Sequence, residues 1–411
     1  EITTRLVGSE MCIRDRESGE LVLHNYMDFD DLKDYVKISY ELTQDGLVIS
    51  KDILSEFSVV PHGEGKTNLK ISVPENGKCY LKLIYHLKKE LPLLDEDHIL
   101  GFDEIEVSKE DTKCKLAEKW IPKTVVDSEL QVNENDTQIH IKGREFAYTI
   151  DRRTALFTEM KFAGREYLNH PMELNIWRAP TDNDMYIKAE WKKAHYDKAY
   201  TRAYTTEVVQ GKHGVKIVSH ASVVAETVQK ILDVTITWKI DASGKIDADI
   251  EATKDGEFPD LPRFGVRMFL DKKLSAARYF GMGPQESYCD KHQAASHGLY
   301  RADVGDLHED YIRPQENGSH YDCEYVELNN SRYGIVASAE KAFSFNASYY
   351  TQEELEEKTH NYELTESDSV VFCVDYALNG IGSNSCGPVV LEQYRFDDVL
   401  FRFQFTLIPY I

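Results

Sequence analysis

Three short runs of the sequence place charged and amide side chains beside residues that interrupt a strand. They are Arg178-Ala-Pro-Thr-Asp-Asn-Asp184, Gly281-Met-Gly-Pro-Gln-Glu-Ser-Tyr288 and Arg313-Pro-Gln-Glu-Asn-Gly318. In the first run, Asp182, Asn183 and Asp184 can cap backbone amides, bind an ion or bind a sugar hydroxyl. The other interpretation is structural, with Arg178 paired to a buried aspartate that fixes the loop. The sequence leaves both open.

The second and third runs indicate structured turns more than a phosphate site. A Gly-x-Gly start can suggest phosphate binding, but Pro284 removes an amide donor and no amphipathic helix follows. We therefore expect a turn in which Glu286 bonds internally. In the third run, Arg313 and Glu316 can tie strands together, or they can contact a substrate or a partner.

A fourth candidate lies near the end of the chain, in Gly380-Ile-Gly-Ser-Asn-Ser-Cys-Gly-Pro388. Its glycines and its proline predict an irregular loop between strands. Such a loop can present Asn384, Ser385 and Cys386 to a ligand. The alternative is a plain connection between two strands.

Metal and nucleophile patterns are missing from the sequence. Four histidines, at positions 292, 297, 308 and 320, are loosely clustered, but none has the i, i+4 spacing of a zinc-binding helix. No Gly-x-Ser-x-Gly elbow occurs. We expect no metal site in this chain.

Composition excludes several classes of protein. The 411 residues predict two or three domains, and a hydrophobic content of 42% provides ample core. A net charge of −23 repels nucleic acid, and no apolar run is long enough to cross a membrane. Seven scattered cysteines favour free thiols and a cytoplasmic protein. Secretion stays open, because a missing N-terminus would hide a signal peptide.

The elements that must position these runs are β-strands. Alternation with turn residues predicts an immunoglobulin-like sandwich over 17–110, with hairpin signals at Asp45-Gly46 and Asn76-Gly77, then a linker at 111–123. Over 124–411 we predict a large antiparallel β-sandwich. Its predicted strands include Arg263–Leu270, Tyr333–Ser338, Val370–Asp375 and Leu400–Leu407, and its short helical patterns lie around Glu190–Tyr200 and Gln352–Thr359. The predicted fold class is all-β.

The three runs, in this order and with Trp177 just before the first, resemble the C-terminal small-chain domain of family 2 β-galactosidases. The resemblance implies a galactose-mutarotase-like supersandwich preceded by an immunoglobulin-like domain. It also implies that the intact enzyme hydrolyses terminal β-D-galactosides such as lactose with retention. Two catalytic carboxylates about 5 Å apart would come from a (β/α)₈ barrel. This chain lacks the alternating strand and helix pattern of such a barrel, so we expect no catalytic residue in it.

The resemblance further implies roles for individual residues. Met185 and Tyr186 would lie at the mouth of the active site, and the loop at 380–388 would reach its rim, where some relatives carry a tryptophan and this chain has Cys386. Mg and Na would bind in the barrel, and the partners would be the β-galactoside, the barrel with the N-terminal domains or a large subunit, and further copies in a homo-oligomer.

Two further expectations complete the sequence analysis. Residues 1–16 resemble translated sequencing-adapter sequence, so we expect a non-native start and an intact protein that is longer. The alternative function is a free-standing carbohydrate-binding β-sandwich, which exposed aromatic side chains would support.

Overall fold

The computed structural model describes residues 20–54, 56–109, 112–121 and 130–411. The chain divides into two units, one that ends at Lys115 and one that begins at Leu116. The predicted non-native segment, residues 1–16, lies outside the described residues, as do parts of the predicted linker at 111–123. The predicted domain boundaries therefore stay predictions.

The first unit is a pair of antiparallel sheets around one core. Its elements are β1 (Glu20–His24), α1 (Leu32–Tyr35), β2 (Val36–Gln44), β3 (Leu47–Ile53), β4 (Glu64–Asn68), β5 (Cys79–Leu87) and β6 (Ile99–Glu106). One sheet has the order β3-β2-β5-β6, and β1 pairs with β4 in the other. Alternate residues of β2, such as Ile38, share a buried cluster with Leu23 of β1 and Leu83 of β5. Period-two burial in β2 and β5, facing the buried leucines of β1, is the pattern of a β-sandwich.

One hairpin prediction is wrong in this unit. Asp45-Gly46 does join the paired strands β2 and β3, but the strand that follows Asn76-Gly77, β5, pairs with β2 and β6. The second turn packs against the first: the amide of Asp45 donates to the carbonyl of Lys78 at 2.7 Å. The carboxylate of Asp45 accepts from the amide of Lys78 at 2.8 Å. A turn dipeptide fixes local geometry, whereas strand pairing depends on contacts distant in sequence.

The second unit is also almost entirely β. Its strands are β7 (Gln131–Glu134), β8 (Gln138–Lys142), β9 (Phe146–Asp151), β10 (Leu156–Phe162), β11 (Arg165–Glu166), β12 (Leu168–Asn175), β13 (Tyr200–Gln210), β14 (Gly214–Val224), β15 (Leu232–Asp241), β16 (Ile246–Lys254), β17 (Arg263–Asp271), β18 (Ala276–Gly283), β19 (Ser296–Asp303), β20 (Ser319–Asn329), β21 (Gly334–Ser348), β22 (Ser369–Leu378) and β23 (Leu400–Tyr410). Two α-helices, α2 (Ile187–Lys193) and α3 (Gln352–Glu357), interrupt them. Short 3₁₀ helices span Leu116–Trp120, Asp182–Asp184, Tyr196–Lys198, Val304–Leu307, Asn361–Glu363 and Glu392–Tyr394. The all-β prediction is confirmed.

The described residues of this unit form two sheets. The larger runs β12-β17-β22-β21-β23-β16-β15-β14-β13, and β20 also pairs with β21 and leads to β18 and β19. The smaller has the order β11-β10-β9-β8-β7. Phe157 of the small sheet packs edge-on against Trp238 of the large one, with ring centroids 4.9 Å apart. Both rings belong to one buried cluster that spans both sheets, so the unit is a sandwich.

Both helical patterns are helices, with bounds that differ from the predicted ones. The first begins three residues early, at Ile187, and ends at Lys193, because His195 adopts φ +58 and breaks the helical path. A short 3₁₀ turn then leads into β13. Among the described residues, no helix has the length and apolar character needed to cross a membrane.

Candidate functional site

The first run and the loop at 380–388 lie side by side, held by a buried arginine. Arg178 has no exposed surface, and its guanidinium donates to both carboxylate oxygens of Asp184 at 3.2 and 2.7 Å. It also donates to the backbone carbonyls of Asn379 and Gly380, the latter at 3.1 Å. One side chain therefore fixes its own run and the start of a loop two hundred residues away.

Asp184 closes the first run into a compact turn. Its carboxylate accepts from the amide and the hydroxyl of Thr181 at 2.9 and 3.1 Å while it holds Arg178. Thr181 and Asp184 thus form a capping box, in which the side chain of each residue bonds to the backbone of the other at a short 3₁₀ helix. Asp184 is buried, so it supports the loop from below.

A second buried arginine joins the first run to the third. Arg263 donates to Asp375 at 3.2 and 2.6 Å and to Glu316 at 2.8 Å. Glu316 also accepts from the amide of Ala179 at 3.2 Å, and its own amide donates to the Ala179 carbonyl at 3.0 Å. Paired charges of this kind tolerate burial only when their hydrogen bonds are complete, and here they tie two loops to the sheet.

Burial dominates the electrostatics of this cluster. It raises the pKa of Glu316 and of Asp375, although the neighbouring guanidinium groups act in the opposite direction. Burial alone would lower the pKa of Arg263, but the carboxylates of Asp375 and Glu316 raise it well above its ordinary value. Arg263 therefore stays charged, and its guanidinium offsets the cost of burying the carboxylates of Asp375 and Glu316.

The second run meets the third through Glu286. Its carboxylate accepts from the amide of Gly318 at 2.9 Å and from the hydroxyl of Tyr288 at 3.3 Å, and it also binds Lys291 and Tyr311. Three of these four partners lie outside the run 281–288, which corrects the expectation that Glu286 bonds within its own turn. All three runs and the loop at 380–388 form one connected region of the second unit.

The loop at 380–388 is fastened from two sides. Asn183 donates to the carbonyl of Gly382 at 2.7 Å, and its side-chain oxygen accepts from the hydroxyl of Ser385 at 2.8 Å. From the other side, Asp290 accepts from the amides of Ile381 and Gly382 at 2.9 and 2.7 Å. These bonds give an irregular loop a defined conformation.

The remaining predicted site residues border this region. Cys386 and Arg313 are exposed, Asn384 is half-buried, and the exposed fractions of Met185 and Tyr186 are 43% and 62%. Asp182 is exposed, and its amide donates to the side chain of Gln315 at 3.0 Å. The predicted residues fall into two sets. Five of them hold the loops, namely Arg178, Asn183, Asp184, Glu286 and Glu316. The others are exposed or half-buried and reachable by a ligand, namely Asp182, Met185, Tyr186, Arg313, Asn384, Ser385 and Cys386.

His320, from the loose histidine cluster, is a core residue. It packs against Phe345 and Tyr279, and its Nδ1 lies 3.3 Å from the carbonyl of Met282. Burial lowers its pKa to about 4, so the ring is neutral at pH 7. In the described part of the chain, no group of three or more His, Cys, Asp or Glu side chains is arranged to hold a metal ion.

Comparison with known proteins then identifies the family. The sequence model described as β-galactosidase small chain matches residues 142–407, which includes all three runs and the loop at 380–388. The chain belongs to the β-galactosidase small chain family. A second model, described as β-galactosidase domain 4, matches residues 21–108. The family resemblance drawn from the three runs is confirmed.

Two relatives show how far the similarity extends along this member of the β-galactosidase small chain family. A β-galactosidase of Actinobacillus pleuropneumoniae is 43% identical over 95% of this chain, and one of Staphylococcus xylosus is 30% identical over 95%. The chain spans 38% and 39% of the lengths of these relatives. Among solved structures, galactose 1-epimerase from Lactobacillus acidophilus covers 69% of this chain with 9% identity and a TM-score of 0.35, and 98% of the epimerase is covered.

Three supporting residues escaped the sequence analysis: Arg263, Asp375 and Asp290. Arg263 begins one predicted strand and Asp375 ends another, at positions where a charged residue is ordinarily taken to mark the end of a strand. In the structure β22 continues beyond Asp375 to Leu378. A signal did exist, because Asp375 ends a run of five apolar residues, a place where a charge must be paired. Its partner lies 112 residues away, and sequence spacing gives no means of finding it.

Proposed function

We propose that this chain shapes the rim of a β-galactosidase active site whose catalytic carboxylates lie on a polypeptide outside it. The assembled enzyme would hydrolyse terminal non-reducing β-D-galactosides such as lactose with retention. The observation that carries the proposal is the convergence of the first run, the third run and the loop at 380–388. Buried charges fix the backbone of all three and leave an exposed edge of small polar side chains and Tyr186.

The supporting carboxylates are unsuited to glycoside chemistry. A retaining glycosidase needs one carboxyl group that protonates the glycosidic oxygen and another that attacks the sugar, so both must reach substrate. Asp184, Glu316 and Asp375 are all buried and hold arginine or backbone partners. They can orient a rim, but a sugar cannot reach them.

The exposed edge suits contacts to the leaving group of the substrate. Tyr186 offers an aromatic face, while Asn384 and Ser385 offer hydrogen-bonding groups to sugar hydroxyls. Cys386 lies at the tip of the loop. A thiol cannot replace the face of an indole, so the chain should bind the aglycone more weakly than relatives with tryptophan there.

The same region also suits contact with a partner. Exposed apolar residues flank it, namely Met185, Tyr186, Ile312, Val389 and Leu391. A cluster of exposed apolar side chains is typical of a surface that another polypeptide covers. We propose that this partner is the (β/α)₈ barrel, as part of a large subunit or a longer chain. It would hold the Mg and Na, within a cytoplasmic homo-oligomer.

The first experiment measures turnover of a chromogenic β-galactoside. The purified chain should give no product, and addition of a separately expressed (β/α)₈ barrel from a family 2 β-galactosidase should restore hydrolysis. Activity of the chain without the barrel would refute the proposal. No activity on mixing, with binding of the two polypeptides shown by sedimentation, would refute the rim role.

A second experiment tests the loop tip in the assembled enzyme. Cys386→Trp should lower KM for lactose roughly 2- to 10-fold, because an aromatic contact contributes about 0.5–1.5 kcal/mol. Cys386→Ser is the matched control and should leave KM unchanged. Tyr362→Trp, at an exposed tyrosine outside the three runs and the loop, controls for a nonspecific effect of indole. Equal KM values for all these variants would show that the loop at 380–388 does not contact the substrate.

A further inference from the structure

The large sheet of the second unit contains an irregularity that opens a groove. β21 pairs with β23 through residues 334–338 and with β22 through residues 344–348. The four residues between, 339–342, stand opposite Glu324 alone on β20, so β21 bulges there. Because one strand serves two neighbours with different halves, β22 and β23 diverge beyond the bulge. A bulge bends the strand that carries it and increases the local twist.

A groove of about 670 Å³ occupies this divergence. It is lined by the bulge, the end of β22, the middle of β23 and the facing residues of β16, and it extends to Tyr321 and Tyr394. Its size falls within the range of small-molecule sites in proteins. None of the predicted rim residues, Met185, Tyr186, Asn384, Ser385 and Cys386, lines it, although Tyr288 of the second run does.

Aromatic rings make one wall. Tyr376, at the end of β22, is half-buried and stacks on Phe401, with ring centroids 5.1 Å apart and an angle of 15° between the planes. Phe396 and Phe403 pack around the same ring at 5.8 and 6.1 Å. Tyr376 is therefore held by its neighbours and still presents part of its surface to the groove. A fixed aromatic face is what the C–H face of a pyranose stacks on.

Paired charges also line the groove. Arg402 donates to both oxygens of Asp249 at 2.7 and 2.6 Å. Asp247 accepts from Thr406 at 2.7 Å and from Lys245 at 2.9 and 2.6 Å. These carboxylates are oriented before a ligand arrives. Asp247 Oδ1 already accepts from both Thr406 and Lys245, whereas Asp247 Oδ2 accepts only from Lys245 and can also accept from a sugar hydroxyl.

The charge balance of the groove indicates a neutral ligand. Five acidic side chains line it, Asp247, Asp249, Asp322, Glu340 and Asp398, against four basic ones, Lys239, Lys341, Arg395 and Arg402. A phosphate or a polycation would meet an almost equal number of repelling groups. A ligand rich in hydroxyls can donate to the carboxylates and stack on Tyr376 without a net charge of its own.

We propose that this groove, between the end of β22 and the middle of β23, is a second carbohydrate site that binds neutral oligosaccharides. It would hold sugar beside the enzyme and takes no part in bond cleavage. The proposal does not depend on the rim role of the loop at 380–388. Its test uses binding rather than turnover, so the two can fail separately.

The experiment is saturation-transfer NMR on lactose with the purified chain, followed by titration. We expect binding in the millimolar range. Gln404→Trp fills the groove from an exposed position on β23 and should raise Kd at least about tenfold. Val209→Trp, at an exposed position on β13 that does not line the groove, is the matched control and should leave Kd within about twofold. Circular dichroism should show both variants folded.

A second variant keeps the proposal testable if the bulky residue has indirect effects. Asp249→Asn preserves shape but removes a charged acceptor, so it should weaken lactose binding severalfold. The proposal would be overturned if lactose at tens of millimolar gave no saturation transfer, or if Gln404→Trp and the unaltered chain had equal Kd. It would also be overturned if Cys386→Trp alone altered binding, because the sugar would then lie at the loop. Protection of amides 402–406 by added barrel, without lactose binding, would show that a polypeptide docks there and would also overturn it.

Discussion

The cluster of buried charges yields the sharpest prediction, the effect of replacing Arg263 by methionine. The substitution keeps a long side chain but removes three charge-assisted hydrogen bonds, and it leaves Asp375 and Glu316 buried without that guanidinium. Removing one partner of a buried ion pair costs about 3–5 kcal/mol, because the remaining charge is not solvated. We therefore expect Arg263→Met to lower the free energy of unfolding of the second unit by about that amount.

Arg402 provides a matched control. It also binds an aspartate through two bonds, at 2.7 and 2.6 Å, but 53% of its side chain is exposed. Water can replace its bonds, so Arg402→Met should cost only about 0–1 kcal/mol. The two variants remove the same kind of pair from different environments.

The assay is urea unfolding followed by tryptophan fluorescence. All four tryptophans, at positions 120, 177, 191 and 238, lie in the second unit, so their emission reports that unit alone. The deficit of Arg263→Met should shrink as pH falls from 7 to 5. Burial already raises the pKa of Asp375, and without Arg263 its folded pKa rises further, so protonation in the folded state relieves the penalty on acidification. Equal losses for the two variants, or a deficit that grows on acidification, would refute this account.

Three further predictions use the same unfolding assay or amide exchange. Gly281→Ala should cost about 1–3 kcal/mol, because its Cβ would lie 2.2 Å from the sulfur and 2.8 Å from the Cα of Cys323 on β20. Gly256→Ala, with open space around it, should be nearly neutral. Asn183→Ala should speed amide exchange across the loop at 380–388, whereas Asn330→Ala, which frees a different turn, should not. The unfolded chain protonates His320 near pH 6.5 and the folded chain only at about 4, so stability should fall by roughly 3 kcal/mol between those values. His320→Phe should flatten that fall.

Each of these has a plain counter-result. Equal stability of the two glycine variants would mean that the strands beside the second run can move apart. Unchanged exchange in Asn183→Ala would mean that the bonds of Asp290 and Arg178 are sufficient to hold the loop. A pH dependence between 6.5 and 4 that survives His320→Phe would assign it to other groups.

The sequence by itself was enough for the class of fold. Strands such as β15 and β16 alternate buried and polar residues around a short turn, and this period-two pattern is a local property that any sheet must satisfy. The three runs also indicated the family from the sequence, and the family model matches the region that contains them. Strand pairing was less accessible, as the turn at Asn76-Gly77 shows: a dipeptide sets a bend but does not choose the partner strand.

The tertiary structure decided which residues of the runs act as supports and which face outward. Arg178 and Arg313 are the same residue type at the head of similar runs, yet one is fully buried and the other exposed. The difference arises because Arg178 finds carbonyls two hundred residues away, and only the folded sheet brings them near. The groove along β21 is likewise a product of pairing one strand with two neighbours. Local sequence fixes the alternation of buried and polar residues along a strand. Burial of a given side chain and contact between distant segments depend on how the strands pair and pack in the whole fold.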